Sequence, residues 1–240
     1  MKTNIYLFII IAVFLSCKGG NQKNNSTETL GSVEQENEIG EETNDAKAVN
    51  IKDLFLLLPN DAFPIEEIST DNRKLLLNNI GKEKAFDIAS TPIDVCDVQN
   101  RFLDLTGMQY GWEMCYWNLE DTRKLVAINN MTESGSKIRI FFYENGKLTE
   151  DFDYQLGGNQ NYSLTDFVDI SQLSPDTQKF AKQQFTKGAY NLYYKLPQNG
   201  TSLKVSIDTY QLMNYDETYE IPYEATKEVS LNWKNEKWEK

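Results

Sequence analysis

From Lys18 to Val49 the chain carries no aromatic residue, and apolar residues are sparse among Asn, Gln, Glu, Gly, Ser and Thr. Such a stretch cannot bury enough apolar surface to offset the entropy of ordering it. Any core is therefore built from residues 50–240, which hold every aromatic residue except Tyr6, Phe8 and Phe14. That leaves about 190 residues, enough for one domain or two small units.

The residues before the polar stretch differ again. Lys2 is the only charge ahead of the apolar run Ile5–Leu15. A membrane-spanning helix needs about 20 residues, so the run suits the apolar region of a signal peptide, roughly 7–15 residues long. Residues 1–16 are predicted to be that signal. The tetrapeptide Phe14-Leu15-Ser16-Cys17 resembles the lipobox of bacterial lipoproteins. The resemblance implies cleavage before Cys17 and lipid on that cysteine; the composition of the following residues makes 17–49 a disordered acidic tether. One acyl chain anchors weakly, at about 0.8 kcal/mol per buried CH2. The triacylated, palmitate-bearing cysteine of that family would hold firmly. Lys18 stands where an Asp tends to retain lipoproteins in the inner membrane, which points to the outer membrane. The acids begin only at Glu28, not directly after the cysteine as in a surface-export signal of some Bacteroidota. This favours the periplasmic face over the cell surface. Cys17→Ala is expected to leave the protein soluble or uncleaved. Cell fractionation that still yields a processed, detergent-requiring variant would contradict the anchor.

Charge and residue types restrict the function. The chain carries −12 overall, Lys2 adds +1 and the tether −4, so residues 50–240 carry −9. Nucleic-acid binding rests on cationic contacts to phosphates, and direct adhesion to anionic lipid needs the same sign. Neither is expected; such acidity also serves plain solubility. There is no histidine. That removes the usual general base and a common metal ligand, and with them Ser-His-Asp and Cys-His nucleophile systems. Asp151-Phe152-Asp153 begins like a calcium loop. Leu156 stands where that loop needs Gly, and Tyr162 where it needs Glu. Glu66-Glu67 and Glu120-Asp121 read as solvated turns more readily than as a glycosidase pair. No phosphate-binding glycine motif is present, and no cofactor, metal or catalytic residue is expected.

Cys96 and Cys115 lie in a compartment that permits a disulfide. A turn at Gly107–Gln109 would set Cys115 opposite residues near 100–102. Cys96 would then lie about 13–20 Å further along the strand, and a bridge needs Cα atoms within about 7 Å.

The pattern of elements reads as one unit written twice, over residues 50–150 and 151–240. In the second half, Ser174-Pro175 caps a helix that runs to Thr186 and stops at Gly188. A strand with Leu192, Tyr194 and Leu196 on one face follows, then the hairpin turn Asn199-Gly200. The next strand alternates Leu203, Val205 and Ile207 with Lys204, Ser206 and Asp208. Tyr210, Tyr215, Tyr219 and Tyr223 suggest a third strand with a long loop. Val229, Leu231 and Trp233 mark the last, and a tight turn at Lys234–Glu236 leads to Trp238. In the first half, Thr70 or Asp71 caps a helix through Leu75, Leu76 and Leu77 to Ile80, with Gly81 as its stop. Strands are predicted near Asn100–Thr106, Tyr110–Asn118, Lys124–Met131 and Lys137–Tyr143, with a turn at Asn145-Gly146. The expected fold is α+β: two tandem units, each a helix followed by a mostly four-stranded antiparallel meander. This arrangement resembles the tandem units of β-lactamase inhibitor protein, a likeness of fold that assigns no function.

A second resemblance covers most of the chain after the tether. Leu54-Phe55-Leu56-Leu57-Leu58-Pro59-Asn60, Asn100-Arg101-Phe102-Leu103, Glu113-Met114-Cys115-Tyr116-Trp117 and Leu231-Asn232-Trp233 are similar to segments of uncharacterised Bacteroidota lipoproteins. Those proteins often carry a Cys-Gly-Pro-like turn between the third and fourth strands. This chain has Thr132-Glu133-Ser134-Gly135-Ser136 instead. The resemblance implies an exported lipoprotein and brings no activity with it.

The first-half strands are rich in aromatic residues on both faces. Trp117, Phe141 and Tyr143 share the odd-numbered side of their strands, which also holds Glu113 and Arg139. That side is either packed against the tether exit, a loop or the other half, or is an aromatic platform for a partner. The reading is a lipid-anchored, non-catalytic binding or interaction module of the cell envelope, with an envelope protein, peptide or glycan as partner. A periplasmic inhibitor of a hydrolase and a carboxylate-only hydrolase are the alternatives.

Overall fold

The polar stretch ends at Asn50. Its Oδ1 accepts from the backbone N–H of Lys52 at 2.9 Å, while the Asp53 carboxylate accepts from Asn50 N at 3.0 Å. This reciprocal cap starts helix α1 (Ile51–Leu57). Pro59 bars its predecessor from helical geometry, and Leu58 is extended at ψ 147°. The computed structural model describes residues 48–63, 67–105, 111–154, 156, 161–213 and 219–240. The expected signal peptide, Cys17 and the expected tether as far as Lys47, as well as Glu66, the expected turn at Gly107–Gln109 and Tyr215, lie outside them. Among the described residues no helix is long and apolar enough to cross a membrane.

The fold is α+β, with helices and two antiparallel sheets of six and four strands. Helix α2 (Thr70–Asn78) is capped one residue earlier than expected, by Ser69 Oγ accepting from Asn72 N at 3.2 Å. The large sheet is a meander in chain order: β1 (Ile93–Asp97), β2 (Phe102–Leu105), β3 (Trp112–Asn118), β4 (Lys124–Thr132), β5 (Gly135–Glu144) and β6 (Lys147–Glu150). Four of these correspond to the expected strands, so a four-stranded first sheet undercounts it by both edges. Edge strand β1 exists because residues 98–101 turn the chain back. Asp97 Oδ1 accepts from Asn100 N at 3.0 Å, and Arg101 adopts φ 63°. Edge strand β6 follows the Asn145-Gly146 turn, whose two positive φ angles of 49° and 82° suit a tight hairpin.

After short α3 (Leu164–Phe167), helix α4 (Pro175–Thr186) begins as the Ser174-Pro175 pair predicts, with Ser174 Oγ accepting from Thr177 N at 3.1 Å. The small sheet is β7 (Leu192–Lys195), β8 (Leu203–Ile207), β9 (Val229–Lys234) and β10 (Lys237–Glu239), ordered β10-β9-β8-β7. The tyrosine-rich stretch forms no strand among its described residues. Tyr210–Leu212 and Tyr223–Ala225 are single 3-10 turns instead.

Both faces of the large sheet are covered. One lies under α1 and α2, where Leu54, Phe55, Phe63 and Leu76 pack on Trp112, Met114, Val126 and Phe141. The other packs against the second half, where Phe167, Leu203, Val205, Leu231 and Trp238 meet Cys115, Trp117, Leu125 and Ile140. Antiparallel sheets commonly leave one face in water and alternate accordingly. Here six successive residues of β3, Trp112–Trp117, are all buried. Residues 47–240 form one compact unit, and the core between the sheets draws on both stretches 50–150 and 151–240.

The turn Thr132–Ser136 joins the halves. Glu133 O accepts from Tyr193 Oη at 3.0 Å and from Asn191 Nδ2 at 3.3 Å. Gly135 has φ 97°, and a Cβ there would stand 2.7 Å from Leu192 O. Only glycine allows that approach without a shift. Both cysteines are free thiols. Cys96 pairs with Leu103 and Cys115 with Phe102, adjacent residues of one strand, so the two project to opposite faces. Facing, set by the turn at 98–101, separates them rather than distance along one strand.

Candidate functional site

Trp117, Phe141 and Tyr143 do not share one face, and the alternative of packing against the other half holds for Trp117. Pairing in β3–β4 matches odd residues with odd, as in Trp117 with Leu125, but β4–β5 matches odd with even, as in Leu125 with Phe142. Parity therefore reverses at β5. Trp117 faces the second half, whereas Phe141 and Tyr143 face α1 and α2. Trp117 and Phe141 are each 2% exposed. The Trp117 ring stacks on Trp233 at 5.8 Å and meets Trp238 edge-on at 4.9 Å, and its Nε1 donates to Thr201 O at 3.1 Å. Arg139 is not beside Glu113 either. It pairs with Glu150 at 2.6 Å and Asp61 at 3.3 Å on the helical side.

Glu113 belongs to a polar row on the inner face: Asp104, Glu113 and Asn129 are direct cross-strand neighbours on β2, β3 and β4. Each hydrogen-bonds a backbone group of a neighbouring segment. Asp104 Oδ1 accepts from Val95 N at 2.8 Å, beside the bulge in β1. Glu113 Oε2 accepts from Leu196 N at 2.9 Å and from Asn129 Nδ2 at 3.2 Å. Asn129 Nδ2 also donates to Tyr194 O at 2.7 Å, and Ser136 Oγ accepts from Tyr194 N at 2.9 Å. Side chains of the large sheet thus supply the hydrogen bonds that an adjacent strand would give the outer edge of β7. Burial pushes the Glu113 carboxyl above the usual glutamate range, although its two hydrogen bonds pull the other way. Burial also raises Asp104, again against its hydrogen bond to Val95.

A recess lies on the small sheet. Strand β9 pairs with β8 only as far as Val205 with Val229. Before Val229 the chain bends away: Lys227 N donates to Phe167 O at 2.7 Å, and Thr226 forms an isolated bridge with Val168. The bend follows from sequence, because Pro222 lacks the N–H a strand would need and sets φ at −64°. The result is a groove of about 590 Å3 between Ser206–Thr209 and Tyr223–Glu228, with buried Phe167 among its lining. A smaller hollow of about 280 Å3 shares Ser206 and Glu228 with it and is lined also by Lys195, Lys204 and Glu113. Tyr223 is 86% exposed. Asp208, Glu224 and Glu228 line the larger groove with one cation, Lys227, whose Nζ donates to Thr165 O at 2.7 Å. Among the described residues no cluster of acids and cysteines could hold a metal ion. Reading the tyrosines as a strand hid this groove; Pro222 was the signal that could have located it.

No protein-family model matches this sequence, and no curated protein and no solved structure is significantly similar to it.

Proposed function

We propose that the protein is a lipid-anchored, non-catalytic binding module of the cell envelope, held at the periplasmic face of the outer membrane, with the groove beside β8 as its binding surface. The supporting observation is the splay of β9 from β8, which opens a recess of about 590 Å3 rimmed by the exposed Tyr223 ring. Tyrosine at such a rim offers a rigid apolar face with a polar tip, the type of residue enriched where proteins bind. The order of helices before an antiparallel meander in both halves supports the finer reading of a duplicated unit, the first copy extended by β1 and β6. On this reading the first copy has become scaffold and the second carries the ligand.

The groove is tested by photocrosslinking in intact cells. p-Benzoylphenylalanine at position 223 is expected to give a discrete adduct, while the same group at position 86, exposed but outside the groove, gives none. Tyr223→Ala should weaken partner binding by at least about 1 kcal/mol and change stability by no more than about 0.5 kcal/mol. Equal adduct yields at both positions would overturn the assignment.

A further inference from the structure

We infer that the groove receives an extended peptide segment of a partner protein, added as a strand beside β8 and carrying a lysine or arginine side chain. This rests on the groove being the binding surface and adds the class of ligand.

The backbone argues for a peptide. Asp208 N donates to Asn191 O at 3.3 Å on the β7 side. Hydrogen-bonding direction alternates along an antiparallel strand, so Leu203, Val205 and Ile207 turn their N–H and C=O toward β9. Leu231 and Val229 stand opposite the first two. Lys227 would stand opposite the third, but its N–H goes to Phe167 O. The N–H and C=O of Ile207 therefore face the groove as an adjacent donor and acceptor. A peptide in extended conformation meets that pair reciprocally, the mode by which strands are added to open sheet edges.

Charge argues for a basic side chain. Asp208, Glu224 and Glu228 flank the groove, and the single lining cation, Lys227, is turned to the Thr165 carbonyl. The Tyr223 ring next to Glu224 offers a π face to an incoming ammonium or guanidinium group. An anionic segment would meet three carboxylates without compensation.

The test uses the full chain, isotope-labelled and held in detergent, with a blocked pentapeptide of central lysine and flanking valines as probe. The peptide is expected to slow amide exchange at Ile207 by about ten-fold or more, as a new backbone hydrogen bond would, and to shift the Tyr223 resonances. Replacing its central lysine by glutamate should weaken binding about five-fold or more, and Glu224→Gln with Glu228→Gln should remove that preference. A peptide N-methylated along its backbone should not bind. Exchange at Ile207 unchanged at millimolar peptide, or equal binding by the N-methylated peptide, would overturn the inference. If the peptide fails while chitotetraose shifts Tyr223, or while the position-223 crosslink persists, the peptide class is wrong and the groove assignment stands. If the crosslink and all groove shifts fail together, the groove itself is wrong.

Discussion

Trp117→Ala is expected to destabilise the protein by about 3–5 kcal/mol, the range for removing a large aromatic side chain from a packed core. The indole fills the space between β3 and the β9–β10 hairpin, in contact with Trp233 and Trp238. Truncation would leave those two rings facing a void and would strand Thr201 O, which now accepts from Nε1 at 3.1 Å. A typical domain has only about 5–15 kcal/mol of stability in total, so the effect should be visible as a large drop in urea midpoint. Trp117→Phe keeps a ring but not the donor, and should fall between the two. A loss below about 1 kcal/mol for the alanine variant would mean that this face of β3 is open rather than sealed by the second half.

Glu113→Leu should be nearly as damaging, for a different reason. It removes the acceptor for Leu196 N and for one of the Asn129 Nδ2 bonds, and each buried donor left without a partner costs about 1–3 kcal/mol. Glu113→Gln retains an acceptor oxygen at the same reach and should be far milder. The two variants separate hydrogen bonding from charge, and pH reports the charge. Burial raises the Glu113 pKa in the folded protein, so folding disfavours its ionised form. Its contribution to stability is full below the unfolded-state value of about 4.3 and is lost as pH rises through the higher folded-state value. The wild type should therefore lose stability relative to Glu113→Gln over that interval, and the difference should then level off. Urea midpoints of both proteins between acidic and neutral pH provide the check. A wild type that gains on the glutamine variant as pH rises would show that the carboxylate is stabilised in the fold.

Much of the local structure was legible because local chemistry imposes it. Ser174-Pro175 leaves few alternatives to a helix start, and Gly188 at φ 73° follows its end. Asn145-Gly146 turns the chain where its backbone freedom allows, and the alternation of Leu203, Val205 and Ile207 marks β8. Where the reading went astray, the deciding partner was remote in sequence. Edge strands β1 and β6 are short, five and four residues, and they are strands because β2 and β5 pair with them. The sequence placed Glu113 on a side that could be packed or open. It is buried because Leu196, 83 residues away, presents an N–H that needs an acceptor.

The sequence by itself determined the start and stop of α4, most strands and the sign of the charge, since each depends on neighbours within a few residues, whereas α1 and α3 went unread. The apolar run Ile5–Leu15 and the Phe14-Leu15-Ser16-Cys17 stretch need no fold to be read. Only the tertiary structure decided which face each strand residue occupies. That depends on the register of β4 with β5, and a change of one residue reverses every side chain of a strand. The register placed Trp117 and Phe141 on opposite faces, both covered; independently, Pro222 and the Phe167 carbonyl draw the chain away from β8 and leave Tyr223 exposed.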